Sequence, residues 1–262
     1  MNAPMHHLWE QGGTHEDCER VCRRAEFLAV LAQELRSSLA PIQHALELIR
    51  LCPADRLASA RAREVASEQV GYLSRLVNDL VDVSRLIQGR IRLRKQAVEL
   101  VEVMDQSVEI VRNRIDDRCQ QLFVSVPREP ARIEVDPVRL VQILSQLLQN
   151  AAKFTPYGGS IWLSASYDEK GIVLRVRDTG VGISPQLLPR IFDLFTHGEG
   201  EASRSQGGLG IGLTIVRALV ELHGGYVIGR SDGLGRGSEF VVRLPDCAKE
   251  VRCDASCRLK PT

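Results

Sequence analysis

The sequence predicts an α+β protein in which a helical hairpin is followed by an α/β sandwich domain. Glycine is unevenly distributed: four of the 21 glycines precede residue 150, and the other 17 lie between Gly158 and Gly237. Apolar residues recur at helical spacing through the first third of the chain, whereas short β-like runs appear only afterwards. We therefore expect an N-terminal tail, the hairpin, the α/β domain and a C-terminal tail at 1–23, 24–91, 97–246 and 247–262.

Composition indicates a globular chain with reduced thiols. The 262 residues are 44% hydrophobic, which is enough to bury a sizeable core. The 34 basic and 33 acidic residues nearly cancel, so no overall field favours nucleic acid or an anionic membrane. We expect a cytoplasmic protein, since no apolar segment reaches the roughly 18 residues of a membrane span and no signal peptide is visible. The seven cysteines match no zinc spacing, which favours free thiols.

The hairpin is predicted from two helical patterns, at 18–50 and 58–91, which flank the breaker LCPAD at 51–55. Two long helices with apolar seams cannot cover both seams alone, so we expect a homodimer that forms a four-helix bundle. Packing against the rest of the chain is the alternative. The first seam comprises Leu28, Ala32, Leu35, Leu39, Ile42, Leu46 and Ile49, and the second Val65, Val70, Leu73, Leu76, Val77, Leu80 and Val83.

The α/β domain is predicted from short β-like runs separated by amphipathic helices. This pattern favours a sheet that helices cover mainly on one face. The runs lie at 122–126, 131–135, 160–167, 171–178 and 238–245, and the helices at 137–153 and 212–222.

The end of the first of these helices carries Gln149, Asn150 and Lys153 in LLQNAAKFTP. Asn150 offers a neutral oxygen ligand to a hard cation, and Lys153, on the same face, can reach a phosphate. Taken alone, the cluster also fits an ordinary amphipathic helix end.

The segment DTGVGI at 178–183 directly follows a predicted strand. The Asp178 carboxylate can accept a hydrogen bond from an exocyclic amine, while Gly180 and Gly182 let the backbone approach a flat ring. A plain turn is the alternative.

A third motif, SQGGLGIGLTIV, places Gly207, Gly208, Gly210 and Gly212 before a helix. Backbone N–H groups freed by glycine at a helix N-terminus can cradle a phosphate, and the segment 198–206 before them fits a lid. No GKS or GKT of a Walker loop is present.

In this order and spacing, the motifs resemble the ATP-binding domain of sensor histidine kinases and its gyrase, Hsp90 and MutL relatives. QNAAKFTP resembles the N box, DTGVGI the G1 box, IFDLF at 191–195 the F box, GGLGIGL the G2 box and GRGSEF the G3 region. The resemblance implies ATP and Mg²⁺ as ligands, with Asn150 on magnesium, Lys153 on phosphate and Asp178 on adenine. It also implies that Gly180, Gly182, Gly208, Gly210 and Gly212 shape the pocket and lid, and that Phe192 and Phe195 pack where the lid is anchored.

The hairpin is similar to the dimerisation and phosphoacceptor domain of the same kinases, including LVNDLVDVSRLIQGRI on its second helix. The resemblance implies that Gln33, in LAQELRSSLAPI, stands where the family has its phosphoacceptor histidine, and that Glu34 is the general base. An amide nitrogen is not nucleophilic because its lone pair is delocalised, so Gln33 cannot take a phosphoryl group. His44, about three turns away, and Ser37, one turn away, are the alternative acceptors.

The resemblance leaves three functional hypotheses. The chain phosphorylates a partner protomer in trans, or it is a pseudokinase that binds a response regulator receiver domain or a partner histidine kinase, or it is a fragment without a ligand. Serine kinase activity is a minor alternative. Rapid ATP hydrolysis is not expected, because Gln146 stands where gyrase-type ATPases have the glutamate that activates water.

Overall fold

The computed structural model describes residues 15–52, 55–127, 132–168, 171–194, 196 and 209–245, with the side chains of 15–28, 30 and 87 excepted. Several predicted features lie outside this range: most of the N-terminal tail, the C-terminal tail, the segment 198–206, Phe195, Gly207 and Gly208. Two compact units are present, and the boundary in the first part of the chain falls between Asn78 and Asp79.

The first unit contains most of the predicted helical hairpin, since the boundary at Asn78 falls within its second helix. Helix α1 runs His15–Leu51 and helix α2 runs Arg56–Ile87, so the second helix ends four residues before the predicted end at residue 91. Asp55 caps the N-terminus of α2. Its carboxylate accepts hydrogen bonds from the backbone N–H groups of Leu57 and Ala58 at 3.0 and 2.9 Å.

Only part of the predicted seams is covered within one protomer. On α1, Leu35 and Ile42 are half-buried, whereas Leu39 and Leu46 are 48% and 60% exposed. On α2, Leu76 is buried, whereas Val70 is exposed. One face of the hairpin therefore presents apolar side chains to solvent, in the part of the chain that the structure describes.

The second unit contains a five-stranded sheet of order β2-β4-β5-β7-β6 and a two-stranded sheet of β1 and β3. Strands β2 and β4 are parallel, and the other neighbours are antiparallel. The elements are β1 (Gln96–Glu99), α3 (Leu100–Asp117), β2 (Gln121–Ser125), β3 (Arg132–Val135), α4 (Pro137–Phe154), β4 (Ser160–Asp168), β5 (Gly171–Asp178), a 3₁₀ turn (Leu188–Arg190), α5 (Gly212–Leu222), β6 (Tyr226–Arg230) and β7 (Ser238–Leu244).

The core of this unit lies between the sheet and the helices, as the sequence predicts. Helix α4 contacts α3, α5 and the central strands β4 and β5. Its apolar stripe of Leu140, Ile143, Leu144, Leu147 and Leu148 is almost completely buried, since helical spacing brings these residues to one face. The fold class of a helical hairpin followed by an α/β domain is thus confirmed. No helix of the described residues is long and apolar enough to cross a membrane.

Candidate functional site

Helix α4 ends in a set of carbonyl groups that two side chains from another segment satisfy. Arg118 Nη1 donates to the carbonyls of Ala152 and Lys153 at 3.2 and 2.9 Å, and Gln120 Nε2 donates to the carbonyl of Thr155 at 2.7 Å. The last carbonyls of a helix have no partner within the helix, and a cation there also complements the helix dipole. The C-terminal end of α4 is therefore held in one position.

Asn150 and Lys153 lie in the last two turns of α4, and both are half-buried. The Lys153 ammonium lies 4.7 Å from the centre of the Phe154 ring. Lys153 is three positions after Asn150, so the two side chains project from the same face of the helix. Helix α4 thus carries an amide group and an ammonium group on one face near its C-terminal end.

Asp178, the last residue of β5, is buried with only 5% of its surface exposed. Its Oδ2 accepts a hydrogen bond from the Ser238 hydroxyl at 2.5 Å, and its Oδ1 accepts one from the Gly180 backbone N–H at 2.7 Å. Burial raises the pKa of the carboxyl, while the hydrogen bonds from Ser238 and Gly180 act in the opposite direction. The carboxylate is fixed in orientation by neighbours that donate to it.

The loop after Asp178 is packed against the end of α4. The Val181 backbone N–H donates to the Phe154 carbonyl at 3.1 Å, and a Cβ on Gly180 would lie only 2.7 Å from that same oxygen. Gly182 adopts a φ of +70°, which favours glycine, and a Cβ there would collide with the Gly233 carbonyl. Asp178 and its two glycines are therefore near the helix end that carries Asn150 and Lys153.

The loop between β6 and β7 also forms hydrogen bonds with the loop that follows Asp178. The Ser231 hydroxyl accepts from the Ile183 backbone N–H at 2.9 Å, and the Gly237 N–H donates to the Gly180 carbonyl at 3.0 Å. A loop fixed on both sides is preorganised, so a ligand that binds there would not have to order it.

The beginning of α5 is the third part of the site within the described residues. Gly210 has a φ of +65°, and Gly212 is the first residue of the helix. A Cβ on Gly212 would lie 2.9 Å from Gln146 Oε1, so this glycine approaches α4 one turn before Asn150. The structure places Gly212 beside α4, but Gly208 lies outside the described residues.

Phe192 follows the 3₁₀ turn and packs edge-on against Phe240 of β7, with ring centres 6.3 Å apart. The Phe192 carbonyl accepts a hydrogen bond from the Thr214 hydroxyl at 3.0 Å, which ties this segment to α5. Phe195 itself is not described.

On the hairpin, Gln33 is exposed and its neighbour Glu34 is half-buried. Glu34 Oε2 accepts a hydrogen bond from the hydroxyl of Tyr72 on α2 at 2.7 Å. The hydroxyls of Ser37 and Ser38 instead donate to the Glu34 backbone carbonyl, each at 3.0 Å. The carboxylate of Glu34 therefore faces a phenol, not a serine.

Sequence reasoning missed several of these residues. Ser238 lies within GRGSEF but contacts Asp178 only because β5 and β7 pair with these two residues opposite each other. Arg118 and Tyr72 act on residues 34 to 38 positions away. No local pattern signals such contacts.

The residues present are compatible with Mg²⁺ bound together with phosphates. The described residues contain no group of three or more His, Cys, Asp or Glu side chains that would hold a metal by themselves. Magnesium characteristically takes one or two protein oxygens and completes its shell with water and substrate phosphates. The amide oxygen of Asn150 could serve as such a protein ligand, with water and phosphate oxygens completing the coordination.

Two family models match the chain. The model of the His Kinase A (phospho-acceptor) domain matches residues 23–89, and that of the histidine kinase-, DNA gyrase B- and HSP90-like ATPase matches residues 135–248. A phosphoacceptor-type hairpin joined to an ATPase-type domain defines the class of two-component signalling proteins. The chain belongs to the sensor histidine kinase family.

Individual relatives agree with this assignment. The histidine protein kinase DivJ of Caulobacter vibrioides is 35% identical over 226 residues, which cover 85% of this chain and 37% of DivJ. The histidine-protein kinase BaeS of Escherichia coli is 33% identical, with 87% of this chain and 49% of BaeS covered. Full-length ShkA, solved in complex with AMPPNP, is 31% identical with a TM-score of 0.60, and the match covers 84% of this chain and 45% of ShkA. The chain thus spans less than half the length of these relatives.

Proposed function

We propose that the chain is a two-component signalling protein that binds ATP and Mg²⁺ in its second domain and cannot phosphorylate residue 33. Asn150 would ligate the magnesium ion, Lys153 would contact phosphate and Asp178 would recognise adenine. The buried, hydrogen-bonded carboxylate of Asp178 carries this proposal. Its fixed oxygens can accept from an exocyclic amine, and the adjacent glycines leave room for a flat ring.

The other glycines support the same proposal. Gly210 and Gly212 precede the N–H groups at the start of α5, and a helix N-terminus favours phosphate. The proposal includes Gly208 and Phe195 of the G2 and F boxes and the domain limits 24–91 and 97–246. The relative ShkA was solved with the ATP analogue AMPPNP, which is in keeping with a nucleotide in this domain.

Gln33 is the reason for excluding histidine-type phosphorylation of this position. Its side chain is exposed, but its amide nitrogen has no available lone pair. The ATP-binding domain would therefore act on another residue or another chain, or serve as an ATP-responsive switch in a pseudokinase.

A homodimer through the hairpin is part of the proposal. The exposed Leu39, Leu46 and Val70 form an apolar face that a second hairpin would cover in a four-helix bundle. The partners of such a dimer would be a response regulator receiver domain or a partner histidine kinase.

Calorimetric titration of the full chain with ATP tests the nucleotide proposal. We expect binding that is tighter with Mg²⁺ than with EDTA, and a smaller difference in Asn150→Ala. Folded protein that does not bind ATP in either buffer would disprove it.

A further inference from the structure

The contact between Tyr72 and Glu34 joins a hydroxyl to a carboxylate across the two helices of the hairpin. The oxygen atoms are 2.7 Å apart, within the 2.6 to 3.2 Å that proton transfer to a general base requires. A carboxylate in such a contact accepts the proton when a hydroxyl is phosphorylated by a nucleoside triphosphate. Both residues are half-buried, so the pair borders on solvent.

The other nucleophiles nearby lack this arrangement. The Ser37 and Ser38 hydroxyls donate to a backbone carbonyl, and Ser38 is only 3% exposed. Within the part of the hairpin that the structure describes, no serine hydroxyl contacts a carboxylate. His44 is exposed on α1, ten residues beyond Glu34 and about 15 Å along the helix.

We propose that Tyr72 is a phosphoacceptor of this chain, with Glu34 as its general base and ATP as the phosphoryl donor. This inference rests on the proposed function, because it requires nucleotide binding. The Tyr72 oxygen forms a bond to the γ-phosphorus, the bond from that phosphorus to the β,γ-bridging oxygen breaks, and ADP leaves with the electron pair. The phenol proton passes to Glu34 Oε2 and then to solvent.

The product would change the hairpin. A phosphotyrosine carries a charge of about −2 near neutral pH and would stand directly beside the Glu34 carboxylate. Like charges at hydrogen-bond distance repel, so the contact that now joins α1 to α2 at this level would open. Phosphorylation of Tyr72 would thus be sensed by the helix that carries Gln33.

The test uses the full chain, Mg²⁺ and γ-labelled ATP, with nucleotide binding measured on the same preparation. We expect a label that survives both acid and alkali, as phosphotyrosine does, in the tryptic peptide 64–75. Fragment-ion mass spectrometry must assign the site, since Ser67 and Ser74 share this peptide. Tyr72→Phe should abolish the label.

Two further variants separate a chemical role from a structural one. Glu34→Gln keeps a hydrogen-bond acceptor but cannot take the proton, so labelling should fall roughly 100-fold or more. Tyr226→Phe, a matched change on an exposed residue of β6, should label like the wild type.

The outcomes are distinguishable. Nucleotide binding without a label on Tyr72, or wild-type labelling of Glu34→Gln, would overturn this inference and leave the proposed function in place. Absence of nucleotide binding would overturn both.

Discussion

Ser238 donates its hydroxyl to the Asp178 carboxylate across the β5–β7 pair, at 2.5 Å. Since burial raises the pKa of Asp178, the ionised carboxylate is held at a cost in free energy that its donors only partly offset. Buried carboxylates with a raised pKa are enriched at functional sites, which supports the proposed role of Asp178 in binding.

Asp178→Asn should separate binding from stability. The amide still accepts from the Gly180 N–H, so the fold is expected to survive, and loss of the buried charge leaves the melting temperature unchanged or higher. The amide oxygen is a weaker acceptor, so ATP affinity measured by calorimetry should fall at least about tenfold. Asp116→Asn, on the exposed side of α3, is the control and should bind as the wild type. Equal affinity of the two variants would count against adenine recognition by Asp178.

Alanine substitutions at two glycines should have opposite effects. A Cβ on Gly180 would lie 2.7 Å from the Phe154 carbonyl, and backbone atoms there cannot easily move. We expect a loss of about 1–3 kcal/mol in the free energy of unfolding. Gly71 lies within α2, and its Cβ would meet only the flexible end of Arg75 at 3.6 Å. Gly71→Ala should therefore gain about 0.5–1 kcal/mol. Urea titrations measure both, and destabilisation by Gly71→Ala would show that the helix needs glycine for another reason.

Leu39→Glu tests the dimer. Leu39 is 48% exposed in the single protomer, so a charge there should leave the hairpin folded but be unfavourable in a helix–helix interface. In sedimentation experiments at micromolar concentration, we expect a wild-type dimer and a mainly monomeric variant. Arg63→Glu, at an exposed position of α2, should remain dimeric. A monomeric wild type would disprove dimerisation through this face at that concentration.

The sequence predicts the elements whose signals are local. Helix α4 has an N-cap, Asp136, that accepts from the Arg139 N–H at 3.2 Å, followed by Pro137 in the first turn, and the structure has the predicted helix there. Helix α3 was missed although its apolar residues recur at helical spacing. It starts at Leu100, and the preceding residue Glu99 makes no side-chain hydrogen bond that would cap it, so no start signal separates α3 from β1.

Strand β6 was missed for a different reason. Its exposed and half-buried residues alternate without a fully buried member, and Gly229 interrupts the run. The site motifs could be located from sequence because each is continuous in the chain. The Ser238–Asp178 and Tyr72–Glu34 contacts could not, because they depend on strand register and on how two helices are aligned.

His223 should make the second domain sensitive to acid. The buried imidazole accepts from the Asp136 backbone N–H through Nε2 at 3.1 Å and faces the Leu219 carbonyl through Nδ1 at 2.8 Å. Burial is the main effect and lowers its pKa. The hydrogen bond with the Leu219 carbonyl opposes this shift, nearby Lys95 adds to it, and Asp136 opposes it least. The folded state thus favours the neutral ring.

Because the folded pKa lies below the unfolded one, the unfolded chain takes up more protons as the pH falls below about 6.5. The free energy of unfolding should therefore decrease from that pH down through the folded pKa. In His223→Gln, the amide oxygen can accept from the Asp136 backbone N–H but does not titrate. The free energy of unfolding of this variant should therefore change less than that of the wild type between pH 7.5 and 5.5 in urea titrations. An equal change in both proteins would assign the acid sensitivity to other groups.

Gln33→His should restore histidine phosphorylation. The ATP-binding domain and the Glu34 carboxylate are expected to remain in place, and imidazole has a free nitrogen lone pair near neutral pH. With labelled ATP, we expect an acid-labile label in this variant and none in the wild type, whereas the acid-stable label expected on Tyr72 should persist in both. Recovery should be incomplete, because Glu34 also accepts from Tyr72 and has to serve both positions.

Combining Gln33→His with Glu34→Gln keeps the imidazole and removes the base, so the acid-labile label should fall roughly 100-fold or more. A strong acid-labile label in the wild type that disappears in His44→Ala would identify His44 as the acceptor, and an acid-stable label lost in Ser37→Ala would identify a serine kinase.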